Sequence, residues 1–232
     1  MKKMVYPAMA LFVTGALALT ASCNKKDSTP VEVCKLQRVV NGNESYLFSY
    51  DDQFRISKIE SPDKIANYSY NGNQSTILTT SSGSFDTKRI ITTNDAGLVL
   101  NVKTENNTSG TLWTNEAYTY NGSQVATSVS SNSTGLGTST TNYVWASDGN
   151  LSTIIGGSGG TTDFNYYTDQ SFQEGDFLNV FSLIQNGYTF YKNKNLNKTA
   201  GSNAISYVFD EGNKVNKINV NSTVIQIEYT CR

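Results

Sequence analysis

Histidine is absent from all 232 residues, and that absence removes several chemistries together. Without imidazole there is no Ser-His-Asp or Cys-His nucleophile pair, no histidine general base, and no histidine-ligated zinc or non-haem iron. Charged residues make up only 16% of the chain and include no long basic run, so there is no electrostatic footprint for nucleic acid. A phosphate cradle is also missing. Gly156-Gly157-Ser158-Gly159-Gly160 is followed by neither a lysine nor a helical pattern and reads as a turn. Clustered acids are limited to Asp51-Asp52, Asp169 with Glu174 and Asp176, and Asp210-Glu211, all in predicted turns where Asp is favoured for backbone reasons. A hydrolase built on carboxylates would need two of them facing each other across a cleft. Ser147-Asp148-Gly149-Asn150 lacks the alternating oxygen ligands of a dedicated calcium loop. The expectation is therefore a non-enzyme with no catalytic residue, no metal and no cofactor.

What is present begins at the N-terminus. Lys2 and Lys3 precede an uncharged stretch, Met4 to Ser22, rich in Ala, Leu and Val, which is the order of a signal peptide. The apolar run is broken by Pro7, Thr14 and Gly15 and falls short of the roughly 20 residues of a spanning helix. It stops in Leu19-Thr20-Ala21-Ser22-Cys23, which resembles the lipobox of bacterial lipoproteins, with Thr20 where that motif usually carries Leu. The resemblance implies cleavage before Cys23 and a lipid on its thiol. Asn24 to Pro30 is polar and ends in proline, which suits a flexible tether. The expected organisation is a signal peptide over 1–22, lipidated Cys23 and tether over 23–33, and one domain over 34–232. Losing Lys2 and Lys3 lowers the 18 basic residues to 16 against 19 acidic ones, a net charge of −3. Lys25-Lys26-Asp27 resembles the surface-export signal of Bacteroidetes lipoproteins, so an outer-membrane anchor is expected, with the periplasmic and cell-surface sides both open. Cys34 and Cys231 remain after lipidation. In an oxidising compartment they either pair, stapling the ends of the domain, or sit as free thiols on distant strands.

Along the domain, short runs of β-branched and aromatic residues alternate with polar ones and end in tight polar turns. Tyr46 to Tyr50 leads into Asp51-Asp52, Tyr68-Ser-Tyr70 into Asn71-Gly72, Tyr118-Thr-Tyr120 into Asn121-Gly122, Tyr143-Val-Trp145 into Asp148-Gly149, and Tyr207-Val-Phe209 into Gly212. Each is a strand, a turn and a return strand, and the recurrence every roughly 20–27 residues is an internal repeat. The predicted fold is all-β: an antiparallel meander of repeated hairpins curled into a barrel or half-barrel, since a twisted sheet this wide must manage its edges. One segment departs. Phe177, Val180, Phe181 and Ile184 recur at helical spacing before Gly187, predicting a short helix near residues 176–186 that covers an open end or edge, or acts as a lid.

The Tyr-x-Tyr-[Asn/Asp] units, the helical insert and Tyr191-Lys-Asn-Lys-Asn-Leu196 resemble a Bacteroidetes lipoprotein family known only as a domain of unknown function with a porin-like fold. The hairpins also resemble the YD repeats of secreted toxins. The resemblance covers most of residues 35–231 and implies a curled meander without assigning an activity. Outer-membrane barrels use strands of about 9–11 residues with a continuous outward apolar band, whereas these strands are short and rich in Ser, Thr and Asn. A domain held at the membrane by its lipid, and not embedded in it, is expected. The aromatics admit two readings, as core or as a concave face that stacks against a ligand, with glycan the expected class. Trp113, in Thr111-Leu-Trp-Thr between hairpins, is the candidate ligand contact. The alternatives are a non-catalytic assembly subunit with an outer-membrane protein partner and, more distantly, a carboxylate-dependent hydrolase.

Overall fold

Alternation of polar and apolar residues carries most of the described chain, residues 32–232 of a computed structural model, into strands. The predicted signal peptide, the lipidated Cys23 and the tether through residue 31 lie outside the described residues. The strands are β1 (Cys34–Asn41), β2 (Glu44–Tyr50), β3 (Ile56–Glu60), β4 (Lys64–Asn71), β5 (Gln74–Ser81), β6 (Ser84–Thr93), β7 (Val99–Glu105) and β8 (Trp113–Asn121). They continue with β9 (Gln124–Asn132), β10 (Ser139–Trp145), β11 (Leu151–Ile155), β12 (Thr161–Ser171), β13 (Asn195–Ala200), β14 (Asn203–Phe209), β15 (Val215–Val220) and β16 (Thr223–Cys231). Helix α1 (Phe177–Asn186) lies between β12 and β13.

Each strand pairs with the next, and β16 returns to β1, so the predicted meander is a closed barrel of sixteen strands. Closure removes the two sheet edges that a half-barrel would leave unpaired. The seam runs antiparallel from Cys34 opposite Cys231 to Asn41 opposite Ile225, and a disulfide joins Cys34 to Cys231. Turns that follow odd-numbered strands lie at one end, here the mouth. Turns that follow even-numbered strands lie at the other, where the chain also enters at β1 and leaves at β16.

Alternation sends one set of side chains into the lumen and the other to water. Phe48, Ile77, Val102, Tyr118, Ile205, Ile218 and Ile227 are buried inside. The outer wall is mixed. Leu47 and Leu78 are 46% and 40% exposed, but their cross-strand neighbours are Arg38 and Glu60 for the first and Asn67 and Lys88 for the second. Ion pairs Arg38–Glu228, Lys58–Glu60 and Lys88–Glu105 lie among them.

The repeated aromatics have a common structural use. Tyr50, Tyr70, Tyr120, Trp145, Tyr166 and Tyr229, on six even-numbered strands, donate to the carbonyls of Leu36, Ile56, Val99, Val125, Leu151 and Val215 at 2.5–2.8 Å. Every acceptor belongs to the preceding odd-numbered strand. The result is a girdle of hydrogen bonds at the end opposite the mouth. Bulges immediately before Tyr50, Tyr120 and Trp145 re-aim these rings inward. The Tyr-x-Tyr faces thus point into the lumen of a closed barrel, where Tyr118 belongs to the core and Tyr68 lines a cavity.

The insert between β12 and β13 enters the lumen from the girdle end. Asp176 caps α1 by accepting from the Leu178 N–H at 3.1 Å, and Gly187 ends it at φ 78°, the left-handed conformation that favours glycine. Leu178, Val180 and Leu183 join the wall residues Leu36, Phe48 and Ile218 in one core cluster, while Tyr188 and Phe190 on the returning segment pack on a second around Ile77 and Val125. The helix thus fills one end of the barrel from within, where the sequence predicted a cover over an end or edge.

Candidate functional site

Opposite the girdle, the mouth remains open above α1. A cavity of about 510 Å³ lies between the inner wall of β2–β6 and the C-terminal half of the helix. Its size falls in the range of small-molecule sites. The floor is apolar, made by Ile59, Ile77 and Leu183, and the rim carries charge, with Glu44 and Asp63 beside the first two mouth turns and Lys64 and Asp86 beyond them. Arg89 also lines it.

These charges differ in how they are partnered. Lys64 and Asp86 form an ion pair at 3.1 Å. Glu44 accepts the Tyr46 hydroxyl, and burial followed by that contact pushes the Tyr46 phenol up to about 12. Asp63 accepts from Ser61 Oγ at 3.3 Å. Tyr68 donates to the Gly187 carbonyl at 2.8 Å, tying the wall to the end of the helix, and burial raises its phenol well above the usual range. Arg89 on β6 stands opposite Ile77 on β5, two strands beyond Tyr68 on β4, at the level of the floor.

The insert is secured at the other end by buried polar groups. Asn150, 2% exposed, accepts the N–H groups of Lys194 and Asn195 at 3.0 Å each and donates to Asn195 Oδ1. Asn193 accepts the Leu151 N–H. Asp176, fully buried, also accepts the Asn197 N–H and the Tyr207 hydroxyl at 2.9 and 3.0 Å. Burial outweighs these hydrogen bonds and raises its carboxyl to about 6.

The residues singled out from the sequence fall elsewhere. Trp113 begins β8 opposite Glu105, on the outer wall beside the Lys88–Glu105–Lys103 ion pairs, and its N–H faces Ser133 Oγ at 3.3 Å. The structure does not bring it to the cavity. Cys34 and Cys231 lie at the girdle end, where Lys214 Nζ approaches their sulfurs at 3.5 and 3.7 Å. Asp51 and Asp210 cap turns by accepting N–H groups of Arg55 and Lys214, as turn acids do. Glu44, Asp63 and Arg89 were not singled out, because scattered single charges on separate strands carry no motif.

No protein-family model matches the sequence, and no curated protein does. Among solved structures, the chain is similar to a porin-like protein from Bacteroides uniformis, with TM-score 0.58 and 12% identity over 87% of this chain and 97% of the other. A porin-like protein from Bacteroides vulgatus is matched with TM-score 0.49 and 16% identity over 84% and 99%. The first likeness is one of fold, and the barrel is accordingly porin-like.

Proposed function

We propose that this chain is a lipoprotein of the bacterial outer membrane, anchored through Cys23, whose barrel binds a small polar ligand of the glycan class at its open mouth. The mouth cavity carries this reading. It is the right size, has charged and hydroxyl groups at its rim and apolar surface beneath, and is floored by the C-terminal half of the helix. The lipobox-like sequence supports the anchor, and a porin-like fold fits membrane association. The outer wall supports anchoring over embedding, because its isolated apolar residues are interrupted by ion pairs and do not form the continuous band that lipid requires. The chain enters β1 at the girdle end, opposite the mouth.

The anchor is tested by Cys23→Ser in cells, which is expected to move the protein from the membrane to the soluble fraction. Ligand binding is tested by thermal unfolding of the whole protein, in detergent, against a panel of soluble glycans. A ligand at about 100 times its Kd stabilises by roughly 2.7 kcal/mol, or about 5 °C or more at this size. Absence of any shift moves the weight to a second reading, an assembly subunit. That reading has its own observation: Leu112 and Leu136 are 55% and 74% exposed on adjoining mouth loops tied by the Ser133 N–H to the Trp113 carbonyl at 2.9 Å.

A further inference from the structure

Arg89 differs from the other charges of the mouth. Its neighbours across the sheet are Ile77 and Thr104, and Ile77 is fully buried. Ile77 is four residues along β5 from the rim at Ser81, roughly 13 Å at strand spacing. Lys64, the other cation, is matched by Asp86. Among the described residues no carboxylate lies within ion-pair distance of Arg89, and its guanidinium has neither a hydrogen-bond acceptor nor an aromatic ring beneath it. A lumen-facing cation without a direct ion-pair partner is available to an anionic group that arrives with a ligand.

The remaining geometry limits what that partner is. A guanidinium presents a planar fork matched to a carboxylate. Higher in the same cavity, Glu44 and Asp63 offer carboxylate oxygens, which accept hydrogen bonds from hydroxyl groups and repel a second anion. Tyr46 and Tyr68 add ring surface to the lining, suited to the C–H face of a sugar. We propose that Arg89 anchors the carboxylate of an acidic sugar, a uronic or sialic acid type, whose hydroxyls face Glu44 and Asp63. This rests on the mouth being the ligand site and names the ligand's chemistry.

Isothermal titration of the whole protein with glucuronate, galacturonate and N-acetylneuraminate, and with glucose and galactose as neutral counterparts, tests it. An acidic sugar is expected to bind at least tenfold more tightly than its neutral counterpart, and Arg89→Gln is expected to erase that difference while leaving the melting temperature close to the parent. The methyl ester of the same uronic acid, on the unaltered protein, gives the same comparison without touching the fold and is expected to bind like the neutral sugar. Equal affinity for acidic and neutral sugars overturns the role of Arg89 and leaves the mouth as a glycan site. Competition by inorganic phosphate or by glutamate as strong as by any uronate overturns the sugar assignment, since the site would then take anions in general or amino acids. Binding of none of these sugars overturns the acidic-sugar assignment, and a glycan from the unfolding panel whose stabilising shift survives both Glu44→Gln and Arg89→Gln overturns the mouth site itself.

Discussion

Tyr70 donates its hydroxyl to the Ile56 carbonyl at 2.7 Å, one member of the girdle, and the cost of losing it is set by the acceptor left behind. Tyr70→Phe keeps the ring and removes about 1 kcal/mol of stability, read as a lowered urea midpoint with unchanged slope. Tyr143→Phe, whose hydroxyl meets only Ser128 Oγ at 3.3 Å, is expected to cost less. Asp176 makes a second residue-scale prediction. Its folded carboxyl titrates near 6, above the ordinary value of 3.8, so the native state holds a proton that the unfolded chain has already released. This group's contribution is therefore greatest below about pH 4, declines as pH rises towards 6, and is flat above that. The span is about 3 kcal/mol at 1.36 kcal/mol per unit. Asp176→Asn should flatten that decline, measured by urea unfolding at pH 4, 5 and 6 for both proteins.

The insert is the element on which the cavity depends. Its position is set at two points, the asparagine cluster around Asn150 and the close approach of Gly187 to the wall. A Cβ at Gly187 would lie 2.7 Å from the Tyr68 hydroxyl and 2.8 Å from Ile77 Cδ1, at a φ of +78°. Gly187→Ala is expected to cost about 1–3 kcal/mol from backbone strain alone and to displace the helix end from the cavity floor. Faster amide exchange over residues 177–191 than over the strands would show it. Asn150→Ala leaves the Lys194 and Asn195 N–H groups without their acceptor and is expected to loosen the same segment, with a loss of about 2–4 kcal/mol.

At the scale of the whole molecule, closure depends on bringing the first and last strands together. Cys34 and Cys231 are separated by 197 positions in sequence, so their bond restricts nearly the entire unfolded domain. The chain-entropy model assigns such a loop about 5 kcal/mol. The Cys34→Ser, Cys231→Ser double variant should therefore melt about 10–20 °C lower while remaining a barrel, because β1 and β16 still pair along their length. A non-reducing and reducing comparison of the unaltered protein should show the same difference.

How much of this was legible in the sequence depends on the range of the interaction. Hairpins are local: Tyr118-Thr-Tyr120 with Asn121-Gly122 specifies its own strand and turn, and Phe177 to Gly187 specifies its own helix and stop. The all-β meander and its one helix could therefore be read residue by residue. Closure of the sheet could not be read, because a barrel and a half-barrel share every hairpin and differ only in whether β1 meets β16. Nor could the destination of the aromatics be read, since a Tyr-x-Tyr pair has one face in either case and only closure turns that face into a lumen. The mouth cavity belongs wholly to the tertiary level. Glu44, Asp63 and Arg89 stand on three different hairpins without motif or spacing, and they become neighbours because the wall curves and the insert folds into the space beside them.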